Sequence, residues 1–141
     1  MLRNVTKSVE LSCPVEQAFA FLAHVPAWAQ WATYSVRQAR RCEDGSWSIK
    51  SYRGNTRLTM RAEAAHGILD HDYQDSDGNA WTIPARVVAT PTGCMLMMTL
   101  CQPAAVPDAT FTQMVSHAEA QFATLRELVA RARQMGRVLR P

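Results

Sequence analysis

The side chains best suited to chemistry in this sequence are few, and they gather around one stretch, Leu69-Asp70-His71-Asp72-Tyr73. His71 is the leading candidate. An imidazole titrates near neutrality, so it can exchange a proton with a carbonyl compound, with the phenol of Tyr73 or Tyr52 assisting. The bland alternative is a buried neutral imidazole hydrogen-bonded to a neighbour, and both readings need His71 to point inward. His117 is a weaker candidate, because it lies roughly 110° from the centre of its helix's apolar stripe. Other constellations are absent or misplaced. Asp70, Asp72, Asp75 and Asp77 alternate along a strand and into a turn, which is not the loop spacing calcium needs, so they read as a solvated face. Ser12 and Ser116 have no nucleophile-elbow setting, and no Gly-rich phosphate loop is present. Neither a metal nor a cofactor is expected.

Hairpin geometry gives His71 its direction. Ser76-Asp77-Gly78 fits a three-residue loop with Gly78 in the left-handed position. That register pairs Tyr73 with Trp81, His71 with Ile83 and Leu69 with Ala85. The opposite face carries Asp70, Asp72 and Gln74 beside Thr82, Pro84 and Arg86, a sensible face for solvent. A two-residue Asp77-Gly78 turn would instead bury two carboxylates among apolar residues, which is too costly. If His66-Gly67 is a two-residue turn, then Leu58, Met60 and Ala62 share the inner side with His71. Pro84 predicts a bulge, since an internal strand tolerates proline only there, and a bulge would change the facing of Ala85 and Val87.

The elements that must carry these residues follow from periodicity. Val5 to Leu11 alternates as a half-buried strand, with Lys7 the one misfit. Cys13-Pro14 opens a helix whose buried face is Val15, Ala18, Phe19 and Leu22, and His24-Val25-Pro26 ends it. A second short helix carries Trp28 and Trp31 on one face, as core or at a pocket mouth. Six further strands are read at Tyr34 to Cys42, Trp47 to Arg53, Arg57 to Ala64, Ile68 to Gln74, Trp81 to Ala89 and Cys94 to Gln102. The short gaps between them suit only antiparallel hairpins. A long helix from Pro107 to Gln134 presents Phe111, Met114, Val115, Ala118, Phe122, Leu125, Val129 and Ala132 within a stripe roughly 100° wide. Seven strands must hide one face, and only this helix has a stripe long enough to cover it. The expectation is a single α+β domain, a curved seven-stranded antiparallel sheet wrapped around the long helix with a cavity between them. The strand Cys94 to Cys101 is apolar on both faces, which makes it a candidate homodimer interface.

Bulk composition narrows the class. The chain has 141 residues, of which 48% are apolar, enough for one real core. No apolar run is long enough for a membrane span, and Met1 to Glu10 lacks the apolar segment of a signal peptide, so the expected location is cytoplasmic. The four cysteines form no CxxC pair and read as reduced, mostly buried thiols. Net charge is only +3, and the arginines of the last turns (Arg131, Arg133, Arg137, Arg140) suit a helix C-terminus. They lack interleaved aromatics, so no nucleic-acid partner is expected.

The order strand, helix pair, six strands and long helix resembles the helix-grip fold of the START and birch-pollen-allergen superfamily. The stretches VTKSVELSCPVEQAFAFL (Val5 to Leu22), Trp28 to Trp31 and GILDHDYQDSDGNAWTIPARVV (Gly67 to Val88) resemble bacterial polyketide cyclase/dehydrase-like proteins of the SRPBCC group, as does Thr99 to Thr112. The resemblance implies an apolar cavity that holds a lipid-like or polycyclic ligand. Some members cyclise polyketides and many only bind or carry, and no shared catalytic signature transfers here. The residues expected to meet a ligand are Met60, Leu69, His71, Tyr73, Trp81 and Ile83 from the sheet, with Phe111, Met114, Val115, Ala118 and Phe122 from the helix. Binding of a small hydrophobic molecule is the first functional expectation. A cyclase or dehydratase using acid/base chemistry is the alternative, and a protein-partner module is a third reading.

Overall fold

The computed structural model describes residues 2–141. Its elements in chain order are β1 (Asn4–Leu11), α1 (Val15–Ala23), a 3-10 helix (Val25–Gln30), β2 (Gln38–Arg41), β3 (Trp47–Ser51), β4 (Gly54–Glu63), β5 (Ile68–Asp75), β6 (Ala80–Ile83), β7 (Ala85–Thr90), β8 (Gly93–Cys101) and α2 (Asp108–Gln134). The strands form one antiparallel sheet in the order β1-β8-β7-β5-β4-β3-β2, with β6 also on β5. The sheet curves around α2, and α1 and the 3-10 helix fill the remaining space on its inner side. This is the helix-grip architecture.

The sheet counts eight strands rather than seven because the line from Trp81 to Ala89 breaks at Pro84. The expected bulge is absent. His71 pairs with Ile83 before the proline, and Ile68 pairs with Arg86 after it in the same register. Ala85 and Val87 therefore keep the inward facing of Ile83, and all three are buried. What proline removes is one donor, not the alignment. Its carbonyl still accepts the Thr99 N–H at 2.9 Å. The carboxylate of Asp70, directly opposite, accepts the Ala85 N–H at 2.8 Å and pairs with Arg86.

The β5–β6 hairpin has the three-residue loop expected, with Tyr73 opposite Trp81 and Gly78 at φ +85°. The β4–β5 turn differs. It is a four-residue loop, a turn of 3-10 helix over Ala64–His66 closed by Gly67 at φ +64°. Leu58 lies opposite Tyr73, Met60 opposite His71 and Ala62 opposite Leu69. A shift by two residues preserves side-chain parity, so the inner face is unchanged.

Three local expectations resolve differently from their sequence pattern. The strand expected from Tyr34 begins only at Gln38, because Ser35 and Val36 donate back to the Ala32 carbonyl in a turn. Lys7, the misfit in β1, does face inward, where its ammonium meets the Glu119 carboxylate of α2 at 2.8 Å. In β8 the inward row is Cys94, Leu96, Met98 and Leu100, while Met95, Met97, Thr99 and Cys101 form a half-buried outer row. All four cysteines are free thiols. Burial raises the pKa of Cys94 to about 12, so it stays protonated and unreactive. Among the described residues no helix is long and apolar enough to cross a membrane.

Candidate functional site

The cavity expected between sheet and α2 is present, with a volume of about 230 Å³. His71, Tyr73, Trp81 and Ile83 line it from the β5–β6 hairpin, and Met98 and Leu100 from β8. Met114, His117, Ala118, Gln121 and Phe122 supply the helix wall, and Trp28, Trp31 and Ala32 close it from the helix pair. Its open end lies among the exposed turn residues Arg53, Asn55, Ser76 and Asp77.

Of the eleven residues expected to meet a ligand, seven reach the cavity: His71, Tyr73, Trp81, Ile83, Met114, Ala118 and Phe122. Met60, Leu69, Phe111 and Val115 do not. Leu69 and Phe111 are fully buried core. Leu69 lies two residues beyond His71, away from the hairpin, and Trp28 packs edge-on to His71 at 5.0 Å to form the floor between them. Phe111 sits in the first turn of α2 beneath the Arg3 guanidinium, at the wrong height. Val115 is turned toward β1, which covers that flank through Lys7–Glu119 and through Arg3 to Thr112 Oγ1 at 2.7 Å. With Met114 as zero, the lining residues of α2 span roughly −60° for His117 to +80° for Phe122, whereas Val115 stands at roughly +100°. The apolar stripe marks the whole buried face, and β1 takes part of it. His117, outside the stripe, is on the wall for the same reason.

The chemistry of the floor is set by burial. His71 is 1% exposed, and its Nδ1 donates to the Leu69 carbonyl at 2.9 Å. That bond fixes the neutral tautomer and leaves the Nε2 lone pair as acceptor. Loss of hydration lowers its pKa to about 4, so at neutral pH the ring is uncharged and its single N–H is taken by the Leu69 carbonyl. Tyr73 stands beside it with ring centroids 5.5 Å apart, and burial pushes its phenol pKa up, keeping the O–H as donor. A lone pair and a phenolic proton thus share one apolar chamber. Asp70 and Asp72 are on the outer face as expected, where Arg61 holds Asp72 by two hydrogen bonds at 2.9 and 3.0 Å. Hydrogen bonds from Thr82 and Arg61 hold the Asp72 carboxyl below its usual range. Among the described residues no three His, Cys, Asp or Glu side chains converge as a metal would require.

A second group at the cavity was not legible as a site. Tyr34 stacks on His117 with centroids 4.0 Å apart, and Tyr52 meets His117 edge-on at 4.6 Å. Gln121, one turn after His117, accepts the N–H groups of Tyr34 and Ser35 at 3.0 and 2.9 Å and so ties this loop to α2. Tyr34 opens one expected strand and Tyr52 lies inside the next, and Tyr52 is expected only as a phenol assisting His71. A further signal that could have found the group is the pair His117 and Gln121, polar residues spaced by four on the helix.

Neither a protein-family profile nor a curated protein matches the sequence. Solved structures do match the fold. An uncharacterised protein from Bacillus thuringiensis superposes with a TM-score of 0.74 at 12% identity, covering 91% of this chain and 99% of its own. The Zhui aromatase/cyclase from a Streptomyces species gives 0.67 at 13% identity, covering 94% and 96%. A START superfamily protein from Mycobacterium smegmatis gives 0.63 at 16% identity, covering 91% and 97%. The chain therefore has the helix-grip fold of the SRPBCC and START-like proteins. Identities this low speak for the fold alone.

Proposed function

We propose that this protein binds a small, mainly apolar molecule in the chamber between the sheet and α2. The single observation that carries the reading is the chamber itself, about 230 Å³ bounded by Trp28, Trp31, Tyr73, Trp81 and Phe122. Close packing leaves few voids larger than a water molecule in a core that serves stability alone. A cavity of about 150 Å³ is known to hold benzene, so this one suits a body of about one or two rings, with any remainder at the mouth.

The second reading is a cyclase or dehydratase in which His71 Nε2 takes a proton and Tyr73 polarises a carbonyl. Their shared chamber favours it, and the Zhui aromatase/cyclase shows that the fold can carry such a name. Binding is preferred because a pKa of about 4 makes His71 a weak base at neutral pH. A homodimer would use the outer row of β8, Met95 and Met97 with Val88 beside them, and the mass in solution tests it.

Equilibrium dialysis with naphthalene tests the binding reading. Saturable uptake by the native chain is expected, together with a loss of roughly tenfold or more in affinity for Ala118→Leu, whose added carbons occupy the chamber. No uptake, or equal uptake by both proteins, would reject the chamber as the site. Native mass spectrometry of fresh protein then identifies any molecule that copurifies.

A further inference from the structure

A second cleft, of about 530 Å³, lies at the far end of the sheet from the chamber mouth. The mouth is at the β3–β4 and β5–β6 turns, and the antiparallel strands carry the β7–β8 turn and the end of α2 to the opposite pole. The only charged side chains in the lining of this cleft are Arg133 and Arg137. Around them stand the hydroxyls of Ser12, Thr90 and Thr92 and the carboxamide of Gln17, contributed by three other segments of the chain. Among the described residues the five ion pairs leave both arginines out. The way α2 ends brings the two cations together. Gly136, at φ +63°, turns the chain back, its N–H donates to the Arg133 carbonyl at 3.1 Å, and the Arg137 N–H donates to the Ala132 carbonyl at 2.8 Å. Arg137 is thereby returned to the last turn of the helix, beside Arg133. In a helix end of this type that position commonly holds an apolar residue packed back on the helix. Here it holds an exposed arginine that borders the cleft. A helix C-terminus favours nearby cations, which accounts for arginine there but not for the ring of hydroxyls facing it.

We propose that this cleft binds a phosphate group, free or as the monoester of a small molecule, held by Arg133 and Arg137 with the hydroxyls of Ser12, Thr90 and Thr92 donating to its remaining oxygens. The inference concerns a different site from the chamber and does not rest on the binding reading above. A guanidinium presents a planar fork of donors that matches two oxygens of a phosphate at once. Two such forks and three hydroxyls offer more donors than the two oxygens of a carboxylate can accept, whereas a tetrahedral oxyanion uses them. No carboxylate of this chain takes the ligand's place, because Glu16, in the first turn of α1, is exposed and stands outside the lining. The lining also contains no aromatic ring, in contrast to the chamber, so an ester seated here has a small, non-aromatic body.

Equilibrium dialysis of the full chain against radiolabelled inorganic phosphate and against glycerol 3-phosphate, with chloride holding the ionic strength constant, tests the site. Saturable uptake is expected. Arg133→Gln and Arg137→Gln should each weaken it roughly fivefold, as loss of one solvent-accessible ionic contact does. Arg126→Gln removes the same charge from an exposed position of α2 outside the cleft and should weaken it by less than about twofold. All three positions are exposed, so the variants keep the core intact. Uptake of inorganic phosphate alone would assign the site to the free ion, and uptake of both probes would assign it to a monoester. No saturable uptake of either probe would overturn the inference, as would equal weakening by Arg126→Gln, which would reduce the effect to net charge. Association with phosphatidylcholine vesicles containing phosphatidic acid, without uptake of either soluble probe, would also overturn it, because the cations would then serve a membrane surface and not the cleft.

Discussion

Asp70 Oδ1 accepts the Ala85 N–H at 2.8 Å, across the one position where the sheet has no backbone donor to offer. A side chain on the outer face thereby holds together two strands that Pro84 separates. Asp70 also pairs with Arg86, and these bonds outweigh its partial burial, so its carboxyl stays below the usual range. Asp70→Ala would leave the Ala85 N–H without its partner at a cost of about 1–3 kcal/mol. Asp70→Asn, which keeps an acceptor oxygen, should cost less. Urea unfolding midpoints of the two variants check the order, and equal losses would show that the backbone bond contributes nothing.

The turn glycines should not be equivalent. Gly67 sits at φ +64° with the Val87 carbonyl oxygen against the space a Cβ would fill, and its own carbonyl accepts the Val87 N–H at 2.9 Å. Gly78 has φ +85° with open space around it. Gly78→Ala should cost about 1–2 kcal/mol, the left-handed penalty alone. Gly67→Ala adds a clash with backbone and should cost clearly more, with a correspondingly lower melting temperature.

Burial of His71 ties stability to pH. Its folded pKa of about 4 lies below the ordinary 6.5, so the unfolded chain binds the extra proton between those values. Stability is then full above pH 6.5 and falls as pH drops toward 4, by on the order of 3 kcal/mol in total. His117 is lowered by loss of hydration and contributes with the same sign. Unfolding measured at pH 7 and pH 4.5 should differ much less in His71→Phe than in the native chain. An undiminished difference would mean that His71 is hydrated.

Filling the chamber should raise stability while it removes binding. Ala118→Leu places apolar carbon in space already enclosed, so the usual penalty for overpacking does not apply. A melting temperature equal to or above that of the native chain is expected, and a loss of more than about 1 kcal/mol would show that the space is not available to a side chain.

The architecture was legible because it rests on parity and period. The inward facing of His71 and Ile83 followed from the β5–β6 loop and the cost of burying Asp70 and Asp72, and it survived a wrong loop length at Gly67 because the error was an even number of residues. Composition could not say how two elements share one buried face. Phe111 and Val115 belong to the same stripe as Met114 and Ala118, yet β1 and Arg3 claim them while the chamber takes the other flank. Tyr34 escaped notice, and Tyr52 was expected beside His71 rather than His117, because the loop that carries Tyr34 is held by Gln121, 86 or 87 residues distant in sequence. Trp28 and Trp31 were placed between core and pocket mouth. They are buried core that lines the closed end of the cavity, away from its mouth.

The Gln121 carboxamide has a consequence for time rather than for affinity. One oxygen holds two backbone donors of the Tyr34–Ser35 loop, so that loop is tied to the helix wall at two points. A guest that enters beside this loop would have to break both bonds to displace it. Gln121→Ala should therefore shorten the residence time of a bound molecule more than it changes the dissociation constant, which stopped-flow exchange measures directly. In that sense Gln121 acts as the latch on the chamber.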